Sequence, residues 1–422
     1  MIILLVYVVV FAAAMFIYNI YYRSTEHAHD FISLKTVTFG DESAVTPNRF
    51  ASIISVVTLF LLWGAFTGSN LVPFHAPGPF KGDTQFTYTA QNAAGKKDDA
   101  TVFVRVHKIG EKIELPDAKA GDGGFAKNDA IKIGAWRSGL LKAQRNDDGG
   151  KDKGYKVVAI DGLAISPNQK VKLSDLSVRM TSKGSLSIEP KKGWQMEPIW
   201  LPPPESVYKR LIEIATSGYQ NVTLFDNLAW SLIRVIAGFV LGSIVGIPLG
   251  YAMGLSGWFR GWFDPIVEFM RPVPPLALIP LVIIWFGIWE TGKISLLFLA
   301  ALWIMTIAAR AGVSGVNITK VHAAYSLGAS KRQLLLHVIV PNSLPEIFTG
   351  ARVAMGVCWG TVVAAELVAA EKGAGKMIIA ASKFQQTDIV IMGIILIGVI
   401  GYGIDILMRK AERVLVPWKG KS

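Results

Sequence analysis

Apolar residues run along this chain in two rhythms. In the C-terminal half, five blocks at roughly 228–253, 264–288, 294–312, 346–369 and 387–408 stay apolar for most of their length, as do Met1–Ile20 and Phe50–Val72 near the N-terminus. A helix of about 20 apolar residues crosses the hydrocarbon core of a bilayer. The pattern therefore predicts a mainly α membrane protein with about seven transmembrane helices. Between about Pro73 and Glu197 the long blocks vanish. Apolar and polar residues alternate instead in Phe86-Thr87-Tyr88-Thr89, Ala100 to Val106, Lys156 to Ile160 and Ser185 to Ile188, between Gly and Asn/Asp turns. Period-2 alternation of this kind predicts short β-strands.

Three parts follow from this: 1–72, two helices joined by the short polar loop Tyr21–Arg49; 73–200, an inserted β-rich domain; and 201–422, a core of five transmembrane helices. Met1–Ile20 lacks a basic leader and a cleavage site, so a retained span is expected there rather than a signal peptide. The run Pro202-Pro203-Pro204-Glu205 closes the domain and opens an amphipathic helix at Val207–Gly218, since proline costs little in a first helical turn. In the block at 228–253, Gly238, Gly242, Gly246 and Gly250 recur every four residues. That spacing puts them on one face, where another helix can approach closely. The Asp-rich segment Asn146–Asp152 lacks the ligand spacing and closing Glu of an EF-hand and is expected to be a solvated hairpin tip.

Composition sharpens the picture. The chain is 51% hydrophobic with a net charge of +12. Lys and Arg cluster on the cytoplasmic face of membrane proteins, so the charge points to the lipid bilayer and not to nucleic acid. The loops 21–49, 254–263 and 313–345, the C-terminal tail and Arg310 hold 13 basic residues, against 4 in 289–293 and 370–386. The first set is thus expected in the cytoplasm, leaving the N-terminus and the β-rich domain outside. One cysteine, Cys358, excludes an intrachain disulfide, and no zinc or other metal spacing occurs.

The polar, basic stretch His322–Pro345 interrupts two apolar blocks. It starts with small residues, reaches Gly328, carries Lys331 and Arg332, and ends on Pro341 and Pro345. In register, Ala323, Ala324, Gly328, Val338, Val340 and Pro341 resemble the EAA loop of bacterial ABC importer permeases, with His322 standing where that motif has Glu. Ser231 to Phe239, Arg271 to Ala277, Ile284 to Ile288 and Ala364 to Val368 resemble the subgroup for taurine, alkanesulfonates, nitrate and bicarbonate. The resemblance covers 201–417. It implies a type I ABC importer permease core in a bacterial inner membrane, with the β-rich domain periplasmic and the C-terminus cytoplasmic. It also implies two cytoplasmic ATP-binding subunits, a second permease copy and a periplasmic substrate-binding protein as partners. No Walker A pattern occurs in the chain, so ATP belongs to the partner and no cofactor is expected here. The loop then has a mechanical reading: His322, Ala323, Ala324, Tyr325, Leu327, Gly328, Ala329 and Pro341 couple it to the ATPase. Small residues allow close seating, Tyr325 and Leu327 offer apolar contact, and Gly328 permits the turn.

Charges inside a membrane are costly and point to function. Glu268 and Arg271 share a helix face, and Pro272, Pro274 and Pro275 must break the span beside them. The pair either meets an anionic substrate along the translocation pathway or holds the bend. Glu366 either gates the outer mouth or lies at the interface, while Arg234 and Arg352 are expected to snorkel. The competing readings are a secondary transporter, which should show inverted repeats, and a membrane-anchored sensor using the β-rich domain.

Overall fold

The computed structural model describes residues 2–23, 49–111, 113–118, 123–148 and 154–418. Most of the Tyr21–Arg49 loop and the end of the Asp-rich segment lie outside the described residues. The chain divides into two compact units, Met1–Glu205 and Ser206–Ser422.

The first unit begins with α1 (Ile2–Arg23) and α2 (Arg49–Thr67), which touch through Tyr7 and Ser55. Among the described residues nine strands follow: β1 (Gly82–Gln91), β2 (Lys97–His107), β3 (Asp129–Gly134), β4 (Gly139–Leu141), β5 (Lys156–Ile160), β6 (Leu163–Ala164), β7 (Lys170–Lys172), β8 (Leu176–Met180) and β9 (Leu186–Pro190). They form a five-stranded sheet in the order β3-β2-β1-β5-β6 and a four-stranded sheet in the order β4-β9-β8-β7. The expected alternation sets the register. Phe86 faces Val102 and Tyr88 faces Ala100 across an antiparallel pair, and all four are buried. Both sheets contribute to one apolar interior, which includes Val104, Val178, Leu186 and Ile188.

The second unit is helical. It contains nearly all of α3 (Pro204–Ser217), then α4 (Leu224–Leu255), α5 (Gly257–Met270), α6 (Ile279–Phe286), α7 (Glu290–Ser314), α8 (Ile318–Ser326), α9 (Val340–Ala369), α10 (Ala374–Lys383) and α11 (Thr387–Leu415). The glycine stripe has a partner, α7. A Cβ added at Gly238 would lie 2.3 Å from Leu297, and one at Gly250 would lie 2.4 Å from the Thr306 carbonyl. The two backbones come too close for any side chain between them.

Among the described residues, five helical stretches are long and apolar enough to cross a membrane: Phe50–Thr67, Leu224–Leu255, Glu290–Ser314, Lys331–Val368 and Thr387–Leu415. The block expected as one span at 264–288 is broken. Its two arms, Gly257–Met270 and Pro275–Phe286, meet at 91°. Pro272, Pro274 and Pro275 explain the break, because proline removes a helix donor and its ring clashes with the preceding turn. The apolar part of α1, Ile2–Tyr18, is shorter than the five.

Candidate functional site

The loop between α7 and α9 is itself folded. Asn317 caps α8, its side chain accepting from the Thr319 amide. His322 therefore sits within the helix, and the helix start needs no carboxylate at that position. At the far end the Ala329 amide reaches back to the Ala324 carbonyl (3.1 Å) and the Gly328 amide to that of Tyr325 (2.9 Å). That pair of bonds is a Schellman ending, which wants glycine in the left-handed region. Gly328 has φ +83°, and a Cβ there would meet no atom within 4 Å. The demand is conformational, not steric. His322, Ala323, Ala324, Tyr325, Leu327, Gly328 and Ala329 thus lie on one short helix and its cap. None of the nine helix residues is buried, and Leu327 is 89% exposed. Lys320 donates to the Asn342 side chain at 3.0 Å, bracing α8 against the start of α9.

Ser330 and Gln333 form a capping box that restarts the helix. A wider π-helical stretch, Leu334–Ile339, follows, and Pro341 stands in the first turn of α9. The widened turns accommodate a proline ring that an ordinary helix would drive into the preceding carbonyl. Pro345, expected to end the loop, lies inside α9.

At the C-terminal end of α7, Arg310 contacts Asp264 and lies 3.0 Å from Glu268 on α5. Arg271 stands 3.7 Å from Glu268 and is largely exposed. The expected Glu268–Arg271 pair is therefore one edge of a four-residue cluster beside the bend, where Pro274 is the residue that turns the chain into the second arm. Arg310 carries the link to α7. The sequence showed it only as a charge near a span end.

The opposite end of α7 holds a second cluster. Arg234 is 2% exposed. Its guanidinium grips Glu290 twice (2.6 and 2.8 Å), donates to Glu366 (2.6 Å) and donates to the Lys372 carbonyl (2.8 Å). Glu366 is fully buried and also accepts from Ser231 (2.8 Å) and the Gly375 amide (3.0 Å). Lys293 closes the set on Glu290 at 2.7 Å. The turn before α10 wraps this carboxylate so closely that a Cβ on Gly373 would lie 2.4 Å from it. One expectation is corrected here: Arg234 does not snorkel, because its guanidinium is buried against the equally buried Glu366. Arg352 likewise pairs, with Asp405 at 3.3 Å. Glu366 and the Glu268–Arg271 pair are not brought together. Glu290 and Arg310 mark the two clusters, 20 positions and so about 30 Å apart along α7, which is the thickness of a bilayer core. Among the described residues no group of three or more His, Cys, Asp or Glu side chains is arranged to hold a metal ion.

Residues 238–415 match the family model described as the inner membrane component of binding-protein-dependent transport systems. The chain is 47% identical to the taurine transport system permease protein TauC of Escherichia coli (strain K12), over 54% of this chain and 82% of that one. It is 40% identical to the putative aliphatic sulfonates transport permease protein SsuC of the same organism, over 54% and 84%. The nitrate import permease protein NrtB of Synechococcus elongatus is 30% identical, over 44% and 68%.

Proposed function

This chain belongs to the inner-membrane components of binding-protein-dependent transport systems, and on that premise we propose that it carries taurine or a related small sulfonate. It is a transmembrane permease subunit of an ABC importer, and ATP hydrolysis is done by a separate ATPase. In our reading two copies form the translocation pathway, and two ATPase subunits dock from the cytoplasm. A substrate-binding protein delivers cargo on the other face, where the N-terminus and the 73–200 domain also lie. Seven spans, α1 and the broken pair included, complete the membrane part, with 1–72 and 201–422 flanking the insertion.

The observation that carries the coupling role is α8 itself. It is a short, capped helix with exposed Tyr325 and Leu327, ending on a glycine turn and tied by Lys320 to the next span. A partner that moves α8 pulls on α9 directly and, through α7 and Arg310, on the bend at Pro272–Pro275. The substrate reading rests on the sequence match to the sulfonate permeases. Reconstituted with its ATPase and binding protein in proteoliposomes, the chain should import labelled taurine only with ATP. Unlabelled alkanesulfonates should compete better than nitrate or bicarbonate. Import of nitrate or bicarbonate that taurine leaves untouched overturns the substrate reading.

A further inference from the structure

The end of α2 is the centre of a knot. The Ala76 amide donates to the Ala65 carbonyl (3.0 Å), and the Met196 amide donates to that of Phe66 (2.8 Å). The Trp63 indole donates to the Pro202 carbonyl (2.9 Å). Glu205 accepts from the Ser69 hydroxyl (2.6 Å) and the Asn70 amide (3.1 Å). Gln195 fills the space beside Gly68 and Gly78, and a Cβ on Gly193 would lie 2.0 Å from the Pro77 carbonyl. Both strands of chain leaving and re-entering the β-rich domain are therefore fixed against the last turn of one helix.

Large apolar side chains project outward from this knot. Phe74 is 80% exposed, Trp194 66% and Trp200 73%, with Leu71 and Met196 beside them. Exposed Lys191 and Lys192 adjoin them on the domain side, with the Lys191 carbonyl accepting from the Phe80 amide at 3.1 Å. Depth follows from length. The apolar stretch Phe50–Thr67 has 18 residues, and at 1.5 Å per residue that is about 27 Å, close to the hydrocarbon thickness. A helix with no length to spare ends at the membrane surface, and so does whatever is hydrogen-bonded to its last turn. Trp at that depth, with Lys just beyond it, is the arrangement that suits the headgroup region.

We propose that the base of the β-rich domain is seated in the bilayer interface, with Phe74, Trp194 and Trp200 among the lipid headgroups and Lys191 and Lys192 toward water. The domain is then held down on the membrane, not carried clear of it on a tether. This rests on α2 spanning the membrane, which belongs to the permease reading.

The test is spin-label depth measurement on the full chain in lipid nanodiscs. Cys358 is buried, and the unaltered chain, which should take no label, is the control. Labels are placed by Phe74→Cys, Trp194→Cys and Trp200→Cys, with Val57→Cys within α2 and Ala94→Cys at the β1–β2 turn as references. At Val57→Cys collisions with oxygen should exceed collisions with a water-soluble nickel chelate severalfold, and at the three base positions the ratio should fall between that value and the one at Ala94→Cys. At Ala94→Cys the order should reverse. Collar labels that read like Ala94→Cys overturn the proposal, and so do labels shielded from both reagents, which would mean that protein covers them. If one variant fails to insert, the other two carry the test. A lipid reading at Val57→Cys beside an aqueous collar sinks this inference alone; an aqueous reading at Val57→Cys sinks the spanning role of α2 with it.

Discussion

Gly328 shows what a single residue contributes to the proposed coupling. Its left-handed turn costs a residue with a Cβ about 1–2 kcal/mol, and Asn tolerates it better than most. Gly328→Asn should keep most ATP-dependent uptake, whereas Gly328→Asp adds a charge on the proposed seat and should abolish uptake with the permease still inserted. Uptake assays alongside membrane immunoblots check both, and normal uptake in Gly328→Asp would refute the coupling role. Asp129, at the start of β3, offers a pH test. Burial, and then the nearby Asp147 carboxylate, push its carboxyl up to about 7. The folded chain keeps a proton that the unfolded chain releases near pH ~4. Stability of the β-rich domain should therefore fall as pH rises from about 4 to about 7 and level off above. Asp129→Asn should shrink that slope, leaving the part that comes from the likewise raised Asp147, and raise stability on the alkaline side. Thermal melts followed by the β-sheet infrared band at about pH 5.5 and about pH 8 read this directly. The turn at Gly328 was legible in sequence because the residues that force it are local. The buried setting of Asp129 was not, since Asp147 reaches it from 18 positions away.

Among the elements, α7 connects the rest. It packs on the glycine face of α4, holds the Arg234 cluster at one end and the Arg310 cluster at the other, and leads into α8. Arg310→Gln keeps a polar side chain but frees Asp264 and Glu268 from α7. ATPase activity of the assembled transporter should persist in this variant while transport per ATP drops severalfold. A combined drop in both, with the assembly intact, would mean that Arg310 only holds the helices together. The break in the span was legible, because three prolines in four positions forbid a straight helix. Its 91° angle was not, since packing decides where the second arm goes. The glycine stripe likewise announced a close helix contact, but not which helix would fill it.

At the scale of the whole molecule, charge counting predicts that the 73–200 domain and the α7–α9 loop lie on opposite sides of the membrane. A membrane-impermeant maleimide should label Ala94→Cys in intact spheroplasts and Ser326→Cys only after permeabilisation; the reverse pattern would invert the topology. By itself the sequence determined the class of molecule, a mainly helical membrane protein with a β-rich insertion, because apolar periodicity reports directly on what each segment must bury. It also determined the turn at Gly328, whose signal is local; the caps at Asn317 and Ser330 emerged only with the structure. The tertiary structure alone decided where the costly charges go. Ser231, Arg234, Glu290, Lys293 and Glu366 are spread over more than 130 positions, and one-dimensional spacing carries no sign that they meet. An arginine one turn inside a span looks the same in sequence whether it snorkels to water or is buried against two carboxylates. Only the packing of α4, α7 and α9 around it settles that Arg234 is buried.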